Sequence, residues 1–235
     1  MNEHQLSQRL ERVAFHLLRG KSLLDIGSDH AYLPCYAYIK GIVPFAIASE
    51  INEGPYRSAK SRVEHAGLSN VISVRKGDGL SVIERGEVEQ VTIAGMGGSL
   101  ITDILADGEA KLSTVERLIL QPNVAEEQVR RWLHANKWRL IREDILEEAG
   151  KIYEILVAAR GADHGLYKHE HDAGFIFGPY LLKERADVFI KKWTLEMKKL
   201  NQILARMEKA GPSEETECKR KALQQRLDFI KEAIS

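Results

Sequence analysis

Over residues 23–158, short apolar runs alternate with amphipathic stretches about every 20 to 25 residues, and that rhythm leaves few folds open. The runs fall at residues 23–26, 45–48, 71–74, 90–94, 117–120, 140–146 and 153–158. Stretches of helical periodicity lie between most of them, at about 31–40, 55–66, 100–105 and 124–136. Strands joined through helices run parallel, by right-handed crossovers. The spacing therefore predicts an α/β fold with a doubly wound, seven-stranded, mostly parallel sheet. Only Glu148-Ala149-Gly150-Lys151 separates the last two runs, which predicts a hairpin and an antiparallel edge strand. A helix over 3–18 precedes the first strand, with Leu6, Leu10, Val13, Ala14, Leu17 and Leu18 on one face and Arg9, Arg12 and Arg19 on the other.

From residue 179 the period changes. Leu182, Ala186, Phe189, Trp193, Met197, Leu200, Leu204 and Met207 recur at steps of three and four, which predicts one long helix with a heptad-like stripe. Gly211-Pro212-Ser213 breaks it, and Ser213 is the expected cap of a second helix striped by Leu223, Leu227, Ile230 and Ile234. The expected organisation is thus a first domain over 1–160, a linker loop over 161–178, and an antiparallel α-helical coiled-coil hairpin over 179–235. His164, His169 and His171 in the linker have no carboxylate or cysteine in ligand order, so they read as loop residues and no metal is expected.

Charge excludes one class. With 34 Lys+Arg and 34 Asp+Glu the chain is not a uniformly basic nucleic-acid binder. Residues 179–235 nevertheless hold 13 basic and 9 acidic side chains, so the tail is basic and the body acidic. No apolar run approaches the ~18 residues of a membrane span. The opening Met1-Asn2-Glu3-His4-Gln5 lacks a signal-peptide pattern. Two distant cysteines, Cys35 and Cys218, argue against a disulfide scaffold and for a reducing cytoplasm.

The chemistry concentrates at strand ends. In an open parallel sheet, ligands bind outside the carboxyl ends of the strands. The first such turn reads Asp25-Ile26-Gly27-Ser28-Asp29-His30-Ala31. Gly27 allows close backbone approach. The turn is no dinucleotide fingerprint: Asp29 and Ala31 stand where glycines would be. Asp29 would repel a pyrophosphate and suit a cationic ligand such as S-adenosylmethionine. Glu50, after the second strand, can accept from ribose hydroxyls. Asp78, in Gly77-Asp78-Gly79, can take an adenine amine. Ser28, His30, Tyr32 and Gly79 join Asp25, Gly27, Glu50 and Asp78 as the expected donor-binding set. After the fourth strand, Ala94-Gly95-Met96 is expected to border the donor, and Gly97-Gly98 the flat acceptor, with Pro122 and Asn123 along the same cleft.

These segments resemble the class I S-adenosylmethionine-dependent methyltransferases. They are similar, more narrowly, to the bacterial family that methylates N1 of adenine 22 of tRNA. The resemblance rests on Asp25-Ile-Gly-Ser-Asp-His-Ala-Tyr-Leu-Pro34, Gly77-Asp78-Gly79, Ile93-Ala-Gly-Met-Gly-Gly98 and Leu120-Gln-Pro-Asn123. With the C-terminal hairpin it covers nearly the whole chain. It implies a Rossmann-like sheet, S-adenosylmethionine as donor and tRNA as acceptor. The chain departs from the wider class in having fewer glycines in the first motif. It also lacks the Asn/Asp-Pro-Pro-aromatic motif of many adenine amino-methyltransferases, which argues against chemistry at the exocyclic N6.

Adenine N1 has an in-plane lone pair and can attack a methyl group directly, so positioning outweighs base catalysis. Asp29 is the candidate catalytic residue, as a carboxylate facing developing positive charge, though it can equally bind the donor's ammonium. N1 lies on the Watson–Crick edge, so the base must be unpaired or flipped out. Lys191, Lys192, Lys198, Lys199, Lys219, Arg220 and Lys221, with Arg9 and Arg12, are the candidate phosphate contacts. Phe189 and Trp193 read as core rather than stacking platforms. The residues leave alternatives open: a nicotinamide-dependent oxidoreductase, a non-catalytic RNA- or protein-binding scaffold, or a methyltransferase with another acceptor. The oligomeric state stays open, with a monomer as the working expectation.

Overall fold

A computed structural model describes residues 2–162, 165–167, 171–210 and 214–235. His164, His169 and Ser213 lie outside the described residues. Two compact units divide the chain, residues 1–165 and 166–235.

Among the described residues, the first unit contains the seven strands β1 (Leu23–Ile26), β2 (Ala46–Glu50), β3 (Ile72–Lys76), β4 (Gln90–Gly97), β5 (Arg117–Val124), β6 (Trp138–Glu148) and β7 (Lys151–Arg160). The sheet order is β3-β2-β1-β4-β5-β7-β6. Leu23 of β1 is in register with Ala46 of β2 on one side and Gln90 of β4 on the other. Strand order therefore reverses between β1 and β4, and a cleft opens there. Every residue of β1 and β2 is buried, as expected of central parallel strands covered on both faces.

The helices are α1 (Gln8–Phe15), α2 (Tyr32–Ile39), α3 (Glu53–His65), α4 (Gly98–Asp107) and α5 (Glu126–Ala135). Leu6, Val13, Leu33 and Val63 from the α1–α3 side share one apolar cluster with Leu23, Ala46 and Ile119 of the sheet. Right-handed crossovers on either side of the reversal put α4 and α5 on the opposite face, where Ile101, Leu105, Val129 and Leu133 are buried.

Two local expectations need correction. The first helix is shorter than 3–18: Ser7 caps it, its hydroxyl accepting from the Leu10 amide at 3.3 Å, and residues 2–5 form a turn closed by an Asn2–Gln5 bridge. The reversed strand is not at the edge. β7 pairs antiparallel with both β5 and β6, so it slots between them and β6 becomes the edge. The tight Ala149-Gly150 turn (φ 50° and 75°) folds β7 back along β6, while α5 has already carried the chain past the vacant position.

The second unit holds α6 (His171–Phe177), α7 (Pro179–Glu184), α8 (Asp187–Ala210) and α9 (Glu214–Ile234). The segment expected as linker loop thus carries a helix. The single long helix expected from residue 179 is interrupted: Arg185 takes a left-handed conformation (φ 47°) and Ala186 is exposed. The break lets buried Phe189 and Trp193 pack against buried Phe177, Trp193 edge-on at 4.5 Å between ring centroids. Further along, Leu200 and Leu204 of α8 and Leu227 and Ile230 of α9 are buried where the two helices pack together. No helix among the described residues is long and apolar enough to cross a membrane.

Candidate donor and acceptor site

A cavity of about 600 Å³ opens in the first unit at the carboxyl ends of β1, β2 and β4. Its floor is the turn after β1. Gly27, Asp29, His30 and Ala31 all have positive φ, at 64°, 39°, 69° and 55°. Three consecutive non-glycine residues in this region are costly, at roughly 1–3 kcal/mol each, and persist only where the surroundings hold them. Several hydrogen bonds do so. The Ser28 hydroxyl donates to Asp25 Oδ2 at 2.6 Å. The Gly27 and Ser28 amides donate to the Ser49 carbonyl at 2.9 and 3.2 Å. The Asp29 amide donates to Glu50 Oε1 at 2.5 Å.

Asp25 is buried and accepts a second hydroxyl, from Thr92 on β4, at 2.5 Å. Burial pushes its carboxyl up to about 6, and two hydroxyls only partly offset that. Burial also raises Glu50, against the opposing pull of the Asp29 amide. Glu50 Oε2 accepts nothing from the described residues. Asp29 lines the same cavity with its side chain 79% exposed, and exposed Asp78 lines it after β3.

The facing wall comes from β4, β5, β7 and α1. Asn123 Nδ2 donates to the Gly95 carbonyl at 2.8 Å, and Gln121 Nε2 donates to Asn123 Oδ1 at 3.2 Å. Arg9 hydrogen-bonds the buried Gln121 and lies 5.3 Å from the Tyr153 ring centroid. A Cβ at Gly95 would meet Arg9 Nη1 at 3.3 Å, so glycine makes room for this arm. The terminal methyl of Met96 lies over Gly27, 2.1 Å from where a Cβ would stand.

Most expected site residues converge here. Asp25, Gly27, Ser28, Asp29, Tyr32, Glu50, Asp78, Gly79, Ala94, Gly95, Met96, Asn123 and Arg9 all line the cavity. Others do not. His30 turns away, because the left-handed turn points it toward α3, and it lines a second cavity. Arg12 sits 3.6 Å from Asp144 on β6. Gly97 and Gly98 do not line this cavity; a Cβ on Gly98 would stand 2.2 Å from the Ala125 carbonyl oxygen, so that glycine lets α4 pack close to the start of α5. Pro122 is buried, its carbonyl accepting from Gln121 Nε2 at 2.9 Å. Lys191, Lys192, Lys198 and Lys199 are on α8 in the second unit. Sequence reasoning missed Thr92, Gln121 and Tyr153: all three sit inside strands, Thr92 just before the Ile93–Gly98 segment, Gln121 within Leu120-Gln-Pro-Asn123, and Tyr153 with no motif around it. It also missed Ile51 and Leu100, exposed apolar residues of the lining whose only signal was their place just after a strand end or motif.

The lining discriminates between ligands. Four carboxylates at successive strand ends, one of them desolvated and short of a cation, oppose a pyrophosphate and favour a cation. Glu50 keeps an oxygen for hydroxyls. Gly79, Leu100 and Ile104 offer a slot for a flat ring. The residues present therefore fit S-adenosylmethionine, with its ammonium, sulfonium, ribose and adenine, better than a nicotinamide dinucleotide.

Comparison with known proteins agrees. Residues 23–232 match the family model described as tRNA (adenine(22)-N(1))-methyltransferase. The tRNA (adenine(22)-N(1))-methyltransferase of Bacillus subtilis is 48% identical over all of this chain and 99% of its own length. The crystal structure of the B. subtilis M1A22 tRNA methyltransferase TrmK superposes with a TM-score of 0.95 at 47% identity, covering 99% of this chain and 100% of that one. A putative tRNA (m1A22) methyltransferase of Streptococcus pneumoniae, solved in complex with S-adenosyl-L-methionine, superposes at 0.88 with 43% identity, over 98% of this chain and all of its own. With the family model and a full-length relative pointing the same way as the strand-end acids, the chain belongs to the tRNA (adenine(22)-N(1))-methyltransferase family.

Proposed function

We propose that this chain transfers a methyl group from S-adenosylmethionine to N1 of adenine 22 in tRNA, by in-line displacement. The observation that carries this reading is the single cavity into which Asp25, Asp29, Glu50 and Asp78 open from successive strand ends, facing the Gly95–Met96 and Asn123 wall. S-adenosylmethionine, when bound, supplies an electrophilic methyl group on a sulfonium.

The residues of this chain bind and orient. Asp25 and Asp29 meet the donor's cationic end, Glu50 its ribose hydroxyls and Asp78 its adenine amine. Ser28 and Thr92 hold Asp25, so they act through it. Asn123 fixes the Gly95 carbonyl, which sets the wall against which the acceptor base lies. Arg9 and Tyr153 close that wall from α1 and β7. Adenine N1 attacks through its own lone pair, and no group need remove a proton beforehand. The methylated base is a cation, and the exposed Asp29 carboxylate is the group suited to stabilise that charge. In the second unit, α8 offers Lys191, Lys192, Lys198 and Lys199 to phosphates of the tRNA.

The test is a nucleoside analysis. Purified protein, labelled donor and an unmodified tRNA transcript should yield N1-methyladenosine in mass spectrometry. Replacing adenine 22 should abolish it. Asp29→Ala should lower kcat by about 10²-fold or more, the usual scale for one electrostatic group. Full activity in Asp29→Ala would remove that residue from the mechanism.

A further inference from the structure

The acidic cavity raises a difficulty that a second cavity resolves. A polyanion must deliver one base into a pocket with four carboxylates at its strand ends. Electrostatics opposes this unless cations hold the neighbouring backbone outside. Such cations lie just across the turn. A cavity of about 510 Å³ is lined by Arg57, Ser58, Ser61, Arg62 and His65 of α3, by His30, and by Glu3. The α3 residues recur at i, i+1, i+4, i+5 and i+8, which is one stripe of a helix. Glu53 pairs with Arg57 and Asp29 Oδ1 lies 3.6 Å from His30 Nε2, but within the lining itself two guanidiniums, two imidazoles and two hydroxyls are accompanied by one carboxylate. That carboxylate is committed, since Glu3 Oε2 accepts from Arg62 Nη1 at 3.1 Å.

The two cavities share a partition. Tyr32 lines the acidic one, and its hydroxyl accepts from Arg62 Nη2 at 3.0 Å. The Arg62 guanidinium carbon lies 4.1 Å from the Tyr32 ring centroid, and the His30 ring stands 5.5 Å from the same ring. Arg62 is therefore fixed from three directions, and its Nε is buried without a hydrogen-bond partner. Arg57 is the adaptable member, 76% exposed and held only by Glu53 one turn back, at 2.6 Å. A fixed guanidinium beside an exposed one, with hydroxyls between, is chemistry that grips a phosphate.

We propose that this second cavity is a phosphodiester-binding subsite for the tRNA backbone adjoining the nucleotide that enters the acidic cavity. The inference rests on the tRNA methyltransferase reading. It assigns His30 and the outer face of α3 to the acceptor rather than to the donor.

Arg57→Glu and His65→Ala test it separately, with binding of unmodified tRNA measured from low to high salt. Arg57→Glu should weaken tRNA binding by about tenfold and His65→Ala by about threefold, each the scale of one or two hydrogen bonds. The slope of log K against log salt should fall by about 0.7–0.9 for each lost phosphate contact. Affinity for S-adenosylmethionine, measured by calorimetry on the same samples, should stay at the wild-type value. Unchanged tRNA affinity and slope in both variants overturns the subsite. So does an equal loss of donor and tRNA affinity, which would mean general damage to the turn. Binding of inorganic phosphate lost with tRNA affinity intact would assign the cavity to a free anion and also overturn the proposal. If the wild-type protein makes no N1-methyladenosine, the underlying reading fails, and that outcome is separate from all of these.

Discussion

Two groups of buried acids on the same sheet are handled in opposite ways. At the β6–β7 edge, Arg130 of α5 is wholly buried, its Nε donating to Glu143 Oε1 at 2.6 Å and its Nη2 bonding Glu154. Those acids face a cation supplied by the chain itself. At the carboxyl end of β1, Asp25 is as deeply buried but receives only the hydroxyls of Ser28 and Thr92. Its carboxyl is accordingly pushed up to about 6. The first arrangement is finished and holds α5 to the sheet. The second is incomplete, and a cationic ligand would complete it. A buried acid without its own cation is thus the more informative one about function.

The comparison breaks most visibly at Arg130. Arg130→Met strands two buried carboxylates and should cost about 3–5 kcal/mol of stability in denaturant unfolding. Adding Glu143→Leu and Glu154→Leu should recover most of that loss, because an apolar trio of similar volume needs no pairing. A single variant as stable as wild type would mean that the cluster is not a closed structural unit.

Asp25 should respond to pH instead. A carboxyl whose value is raised on folding holds its proton more tightly in the native state. Its contribution is therefore full below about 4 and is lost as pH rises to about 6, an effect on the order of 3 kcal/mol from this group. Asp25→Asn should flatten that part of the stability profile, read from urea midpoints at pH 4.5 and 7. Identical profiles in the two proteins would refute the assignment. Donor binding by the wild-type protein should strengthen over the same interval and release protons, since a bound cation restores the charge on Asp25.

The smallest effect on stability is expected in the second unit. Lys199 forms only an exposed pair with Glu196, 3.6 Å away on the same helix. Lys198→Ala with Lys199→Ala should leave the unfolding midpoint where it is. The same variant should weaken tRNA binding and reduce its salt slope. No change in either would remove Lys198 and Lys199 from the tRNA contact.

Much of this was local and so was readable from the chain alone. Seven strand segments, the parallel, right-handed character of the crossovers and the hairpin at Ala149-Gly150 follow from periods of 2 and 3.6 and from turn chemistry. Asp29, Glu50 and Asp78 were legible because each ends a strand or lies within three residues of its carboxyl end, where a parallel sheet presents ligand-facing groups. The stripe on α8 was legible from Phe189 onward, and illegible at Arg185, where one left-handed residue ends α7 without a glycine to announce it.

Partnership across the sequence was decided only in three dimensions. Thr92 meets Asp25 across 67 residues, and Arg9 meets Gln121 across 112. Neither pair has a spacing that a periodic pattern could reveal. The direction of His30, the packing role of Gly98 and the insertion of β7 between β5 and β6 belong to the same class. The sequence by itself determined which segments form strands and helices and which acids end the strands, because those depend on neighbours within a few residues. The tertiary structure decided which acid is left without a cation, and where the cations gather instead, because burial and charge pairing depend on what distant segments bring alongside.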